Sequence, residues 1–363
     1  MKALAVILLI LLSAVGAAAG YLWYCLEKPY GVLPADGVFV EIPHGASKRA
    51  AARILQKNGV LRSAVAFEIY ARRHPRRNLE AGEYFFDHAL TGKEVFWKLA
   101  NGEVYQQPFT VREGETIFDI ARDLEAAKLM KASEFLPAAK NAELISDIAP
   151  GAKTLEGFLF PATYNLAKNT TPADLTAMMV RKFREAWEQV APGGPTEEDR
   201  KISNYLLYMV TMASLVERET PRPEERPQVA GVFANRLEKG IPLQCDPTVI
   251  YALDEAGKYK GTLTLKDLRY DSPYNTYANR GLPPGPIGNP SLESLRAALH
   301  PAQTDYLYFV ANTRGGHFFA ATLAEHNRNV AKYHRLLNGD PEELPVVQAT
   351  HPRVTSTARK GKR

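Results

Sequence analysis

Two glutamates close the most apolar run of the soluble part of the chain. In ISNYLLYMVTMASLVERET, residues 202–220, a nearly continuous hydrophobic stretch ends at Glu217 and Glu219, just ahead of Pro221 and Pro223. At about 100° per residue, Leu206, Val210, Ala213 and Glu217 stack on one helical face, while Thr211, Ser214 and Arg218 form a polar stripe. Glu217 therefore continues an apolar stripe. Glu219, about 200° further round, is expected to point nearly away, if the helix persists so close to the prolines. A carboxyl at the end of a buried face has its neutral form favoured, the state a general acid needs. The competing reading is a structural ion pair of Glu217 with Arg218 or Arg236.

Downstream, a helix over roughly 224–239 buries Val229, Val232, Phe233 and Leu237 and stops at Gly240. In Leu243-Gln244-Cys245-Asp246-Pro247-Thr248, Asp246 reads either as a helix N-cap with proline following it or as a second catalytic carboxylate. Tyr274-Asn275-Thr276-Tyr277 then leads into GLPPGPIGNPS, too rich in proline and glycine for helix or central strand. Such a rigid loop sets aromatic faces beside amide groups, the pairing that sugars require. Equally, it reads as a structural turn whose tyrosines pack on a core.

Other chemistries are excluded by inspection. The chain lacks G-x-S-x-G, H-E-x-x-H, a P-loop and any C-x-x-C pair, and its eight histidines do not cluster with metal-ligand spacing. His317 falls in the strand-like GGHFFAAT and His326 on a helix from Leu323 to Leu337, so neither a metal nor a cofactor is expected. Cys245 reads as a small apolar residue, since flanking Gln244 and Asp246 oppose a thiolate. Lys and Arg exceed Asp and Glu by 45 to 40, but Thr350–Arg363 alone carries five basic residues and no acid. The rest of the chain is neutral and offers no field for nucleic acid. Residues 350–363 read as a disordered basic tail, with contact to anionic wall polymer or lipid headgroups as the alternative.

The elements that must position these residues begin with an anchor. No charge lies between Lys2 and Glu27, and the 24 residues from Ala3 to Leu26 span about 36 Å as a helix. We read residues 1–28 as an uncleaved signal anchor with Tyr21, Trp23 and Tyr24 forming an aromatic belt. A cleaved signal peptide, using Ala17–Ala19, competes; lipidation at Cys25 is opposed by bulky Trp23 and Tyr24. Lys2 before the span is compatible with the bulk of the protein lying outside the cytoplasm. After a linker from Pro29 to Gly37, the chain repeats itself approximately: Ile42, Gly45, Ala52 and Leu55 match Val111, Gly114, Ala121 and Leu124 at a constant offset of 69. Each copy reads as strand, helix, helix and returning strand, with LEAGEYFF at 79–86 and LEGFLF at 155–160 as the returns. The expected class is α+β, divided into an anchor, a first α/β module over 38–106, a second over 107–166 and a mixed α+β domain over 167–340. FTVREGETIFDIARDL in the second module resembles the opening of a LysM module, a small fold that holds glycans, with Glu115 and Thr116 capping its helix.

Taken together, ASLVERET, VAGVFANRL, PLQCDPTVIYAL, SPYNTYANRGLPPGPIGNPSLESLRAALHP, DYLYFVAN and GGHFF resemble the MltG/YceG family of endolytic murein transglycosylases, from Val38 to about Leu337 and most densely over 213–320. The resemblance implies a single-pass inner-membrane protein with a LysM-like region and a catalytic domain in the periplasm, cutting glycan strands within peptidoglycan beside penicillin-binding synthases. It also implies that Glu217 is the acid/base, protonating the oxygen between N-acetylmuramic acid and N-acetylglucosamine and then assisting attack by the muramic C6 hydroxyl to leave a 1,6-anhydro end. On this reading Gln244, Asp246, Asn275 and Tyr277 line the cleft. A hydrolytic muramidase would need a second carboxylate, for which Asp246 and Glu219 are at hand. A noncatalytic peptidoglycan-binding anchor or a scaffold for wall synthases are the readings from other classes.

Overall fold

An apolar helix, α1 (Lys2–Glu27), stands out from the body with the aliphatic side chains of its described residues through Val15 exposed, only its last turn meeting the protein at Cys25. The computed structural model describes residues 2–31, 33–197 and 199–338, so the basic tail lies outside the described residues. Val6–Glu27 is long and apolar enough to cross a bilayer.

Both copies of the repeat fold as strand, helix, helix, strand. In the first, β1 (Val38–Ile42) pairs antiparallel with β2 (Gly82–Phe86), Val40 opposite Tyr84, around α2 (Lys48–Lys57) and α3 (Ala64–Arg72). Helix α4 (Gly92–Ala100) completes this unit, whose core is built from Val40, Leu55, Phe67, Tyr84, Phe96 and their neighbours. In the second, β3 (Gln106–Thr110) pairs antiparallel with β4 (Thr163–Ala167) around α5 (Ile117–Ala126) and α6 (Ala132–Ala139). Thr116 caps α5 in a reciprocal box with Asp119, and Ile117, Ile120, Ala121 and Leu124 are its buried face, as their spacing requires. Glu115 does not cap; its carboxylate accepts from the backbone N–H and Nε of Arg112.

Two expectations are corrected here. LEGFLF is a buried turn, and the returning strand follows it at Thr163–Ala167. Gly157, at φ +85°, explains the turn: a Cβ there would meet Pro286 at 2.5 Å and Val210 at 2.8 Å, so the chain is pressed against the core. Nor is the segment after α1 a free linker, since the Tyr30 N–H donates to the Leu90 carbonyl at 2.9 Å in an isolated β-bridge.

The remaining elements are α7 (Pro172–Val190), α8 (Tyr205–Glu219), α9 (Arg226–Glu238), α10 (Asp246–Glu255), α11 (Leu292–Leu299), a hairpin of β5 (Tyr308–Ala311) and β6 (His317–Ala320), and α12 (Leu323–Leu337). Helix α8 packs against α9, α10 and α11 and buries Leu206, Leu207, Val210, Thr211, Met212, Ala213, Ser214, Leu215 and Val216, so it is enclosed all round from Val210 to Val216. One hydrophobic core runs from Phe109 to Ala298 and includes the second α/β unit, whereas the first unit keeps its own. Lys168, at the end of β4, reaches Glu83 and Glu41 of the first unit at 2.8 and 3.5 Å.

Replacing Gly157 by alanine is expected to cost about 2 kcal/mol or more, combining an unfavourable left-handed conformation with overpacking against Pro286. A thermal melt lowered by several degrees checks it.

Candidate active site

The last turn of α8 projects its two glutamates to different places. The Glu217 carboxylate accepts from the Ser291 N–H at 2.8 Å, from the Ser291 hydroxyl at 2.5 Å and from Arg226 Nη2 at 2.9 Å. The Glu217 and Arg226 side chains are 5% and 4% exposed. Glu217 is thus a member of a buried ion pair tying α8 to the starts of α9 and α11, with Arg226 in place of the expected Arg218 or Arg236. On its open side it borders a separate depression beside Gly114 and Asp119. Helix α8 is buried all round from Val210 to Val216, its polar Thr211 and Ser214 included, so helical phase alone does not single out a face.

Helix α8 persists through Glu219, and this carboxyl enters the cleft. A cavity of about 270 Å³ is bounded by Glu219, Arg236, Gln244, Asp246, Tyr277 and His326, with Leu243 and Phe309 as apolar walls. Burial pushes Glu219 up to about 7; the negative charge of Asp246 adds to the rise, while a hydrogen bond from the Cys245 thiol and the charge of Arg236 oppose it. Cys245 itself is sealed, 1% exposed, and burial beside Glu219 raises its thiol well above the ordinary value, which suits a small core residue rather than a nucleophile.

The cleft walls come from α8, α9, α10 and α12, strand β5 and the two loops that carry Gln244 and Tyr277. Gln244 sits at φ +54°, a left-handed conformation that costs a residue with a Cβ about 1–2 kcal/mol. It is held there by the loop carrying Tyr277: the Gln244 N–H donates to the Thr276 carbonyl at 3.2 Å, the Cys245 N–H to Thr276 Oγ1 at 3.0 Å, and the buried Thr248 and Thr276 hydroxyls meet at 3.0 Å. Asp246 is the first residue of α10, with Cys245 at the cap position. Tyr277 Oη donates to Asp246 Oδ1 at 2.6 Å, and burial together with that bond raises the phenol above its ordinary value.

Asn275 is not in the cleft. It is fully buried, its Nδ2 donates to the Leu268 and Tyr270 carbonyls at 3.1 and 2.8 Å, and its Oδ1 accepts from the Tyr277 N–H at 2.9 Å. Its amide is spent on shaping the loop, the structural alternative weighed above. Gln244, Asp246 and Tyr277 are brought together, but around Glu219.

Three cleft residues escaped the sequence reading. Arg236 is fixed by donating to the carbonyls of Leu307, Pro242 and Leu243 at 2.6, 3.0 and 2.8 Å, which points a buried cation at the cleft with little freedom to move. His326 stacks on Tyr308, and its Nδ1 is buried without a hydrogen-bond partner among the described residues. Burial, and secondarily Arg236, lowers the affinity of that imidazole for a proton. Phe309 supplies an apolar wall. Arg236 and His326 lie on helices about 90 residues apart, a separation for which sequence carried no signal.

A mostly buried carboxyl held near neutrality in a polar cleft with an apolar wall defines an acid–base site suited to glycan cleavage. Residues 40–332 match the YceG-like family, and the chain belongs to it. It is similar to the endolytic murein transglycosylase of Bacillus subtilis (strain 168), 37% identical over 312 residues that cover 82% of this chain and 84% of that protein. The endolytic murein transglycosylase of Streptococcus pneumoniae serotype 2 (strain D39 / NCTC 7466) is 31% identical over 364 residues, 90% of this chain and 64% of that one. The crystal structure of a yceG-like protein from Listeria monocytogenes shares the fold with TM-score 0.53 at 33% identity, covering 81% of this chain and 99% of that one.

The two glutamates should separate in a stability measurement. Glu217→Gln leaves buried Arg226 with only the half-exposed Glu113, 3.4 Å away, as counter-charge and is expected to destabilise by about 3 kcal/mol, whereas Glu219→Gln stays within about 1 kcal/mol of the parent. Thermal melting of the two variants side by side reads the difference.

Proposed function

We propose that this chain is a membrane-anchored endolytic murein transglycosylase in which Glu219, not Glu217, is the acid/base. The observation that carries the choice is the raised carboxyl of Glu219 in the one cleft that also gathers Gln244, Asp246 and Tyr277. Membership of a family whose curated relatives are murein transglycosylases supports the substrate.

A neutral Glu219 donates its proton to the glycosidic oxygen between N-acetylmuramic acid and N-acetylglucosamine as the C1–O bond breaks. The resulting carboxylate then accepts the proton of the muramic C6 hydroxyl while that oxygen attacks C1, and the product is a 1,6-anhydro end. The cycle returns Glu219 to its starting protonation state, so one carboxyl suffices. A hydrolase would need a second carboxylate free to activate water. Asp246 is already engaged by the Tyr277 hydroxyl, which supports the intramolecular reaction over the hydrolytic one. Gln244, Asp246 and Tyr277 contact the sugars in this reading.

The anchor, first module, LysM-like module and catalytic domain remain our division of the chain at 1–28, 38–106, 107–166 and 167–340. The LysM-like turn is fastened to the catalytic core: the Gly114 N–H donates to the Asn289 carbonyl at 2.8 Å, and the Asn289 N–H donates to the Glu115 carbonyl at 2.9 Å. Any glycan held by that module would reach the cleft in a fixed geometry. We place the catalytic part on the periplasmic side of the inner membrane, where penicillin-binding synthases are the expected partners.

Mass spectrometry of fragments released from purified peptidoglycan by the full-length chain tests the reaction. Anhydro ends are expected, with release reduced at least about 100-fold by Glu219→Gln, and folded Glu217→Gln still producing them. Reducing ends would establish a hydrolase instead, and no cleavage by folded, glycan-binding protein would favour a scaffold. The pH profile adds a second test. Because the acid works protonated, kcat/KM should fall as pH rises through about 7. Asp246→Asn removes a charge that raises Glu219, so that alkaline limb should move to lower pH.

A further inference from the structure

The membrane helix is not suspended from a tether. Its last turn is seated on the first α/β unit: Cys25 is 4% exposed, and Gly92 of α4 lies so close that a Cβ would meet the Cys25 carbonyl at 3.2 Å. Lys93 pairs with Glu27, and the Arg62 guanidinium lies 4.6 Å from the ring centres of both Tyr24 and Tyr30. With the Tyr30 to Leu90 bridge, these contacts fix how the unit is turned relative to α1. A fixed helix that crosses a bilayer obliges one particular face of the unit to meet the lipid surface.

Helix α3 is in place for that role, since it starts directly after Arg62 and packs against α1. Its outward side carries Val65 and Ile69, 61% and 37% exposed and one turn apart, an apolar stripe with nothing over it. Exposed arginines follow at Arg72, the last residue of α3, and at Arg73, Arg76 and Arg77 just beyond it. Residues 62–77 hold five arginines against one acid, Glu68, which pairs with Arg72 at 2.7 Å. Tyr21 and Trp23, both more than half exposed on the same end of α1, are of the kind that settles at the membrane–water boundary.

We propose that the outward face of α3 rests on the bilayer surface, the arginines at and just beyond its C-terminal end on the phosphates of anionic phospholipids and Val65 and Ile69 in the headgroup layer. The inference rests on reading α1 as a membrane anchor. Guanidinium groups bind phosphate through paired N–H bonds, and an amphipathic helix lying in the interface gains from both its charges and its apolar residues. The consequence is a first unit laid flat on the membrane, which sets the height of everything that follows it in the chain.

The test uses the full-length chain in nanodiscs of phosphatidylcholine, alone or mixed with phosphatidylglycerol. Ile69→Cys carries an environment-sensitive fluorophore, the native Cys25 and Cys245 being buried. Headgroup spin-labelled lipid should quench the probe several-fold more in the phosphatidylglycerol discs, and added salt should reduce the quenching. Arg73→Glu with Arg76→Glu should abolish the difference; these are chosen because Arg72 holds Glu68 and Arg77 lies over the Trp97 ring. A thermal melt confirms that the variant is folded. A probe equally open to water in both discs, in chain that co-migrates with them, overturns the proposal. Chain that fails to enter the discs at all overturns the anchor reading and this inference with it.

Discussion

Arg226 and Glu217 are almost completely removed from water, and each is made tolerable there by the other. Charges so placed cost several kcal/mol apiece unless paired and hydrogen-bonded. Ser291 completes the arrangement, its hydroxyl donating to Glu217 and accepting from Arg226 at 2.9 Å while it also caps α11. Three helices are thereby pinned at one point. Glu219 follows two residues after Glu217, so the position of the cleft acid is set by this pin.

A second polar seam joins the repeat to the catalytic core. Asn289 donates through Nδ2 to the Glu115 carbonyl at 2.8 Å and to Glu156 at 3.3 Å, and accepts from the Leu159 N–H at 2.8 Å. Glu156 in turn accepts from the Ile117 N–H, at the start of α5, and burial pushes it up to about 8, so it is neutral at ordinary pH. Gly288 lets this seam close, for a Cβ there would lie 2.6 Å from the Gly114 carbonyl oxygen. The proline- and glycine-rich loop is therefore rigid for a purpose visible in its contacts: one end shapes the cleft wall at Tyr277, the other clamps the turn of the second unit.

Local pattern made much of this legible. The apolar helix, the two strand–helix–helix–strand units and the buried face of α5 follow from hydropathy period and capping residues. What failed were inferences that needed tertiary neighbours. The phase argument for Glu217 presumed one buried face, and α8 is buried all round from Val210 to Val216. LEGFLF carries strand-like residues, yet Leu155, Phe158 and Leu159 are buried in a turn that Gly157 permits. Asn275 looked like a sugar-binding amide because its type fits, but whether an amide is free depends on carbonyls that only the folded loop presents. Arg236 and His326 were invisible for the same reason.

The Asp246 and Tyr277 pair shows how a cleft with two acids can still run one-carboxyl chemistry. Asp246 is exposed at the rim and engaged by a phenol, whereas Glu219 is mostly buried. Burial raises the Glu219 carboxyl, and the negative charge of Asp246 adds to the rise. In the reaction we propose, the donor is thus poised before substrate arrives, and the carboxylate it becomes is the base that receives the C6 proton. Arg236, a fixed cation, has no lone pair with which to activate a competing water.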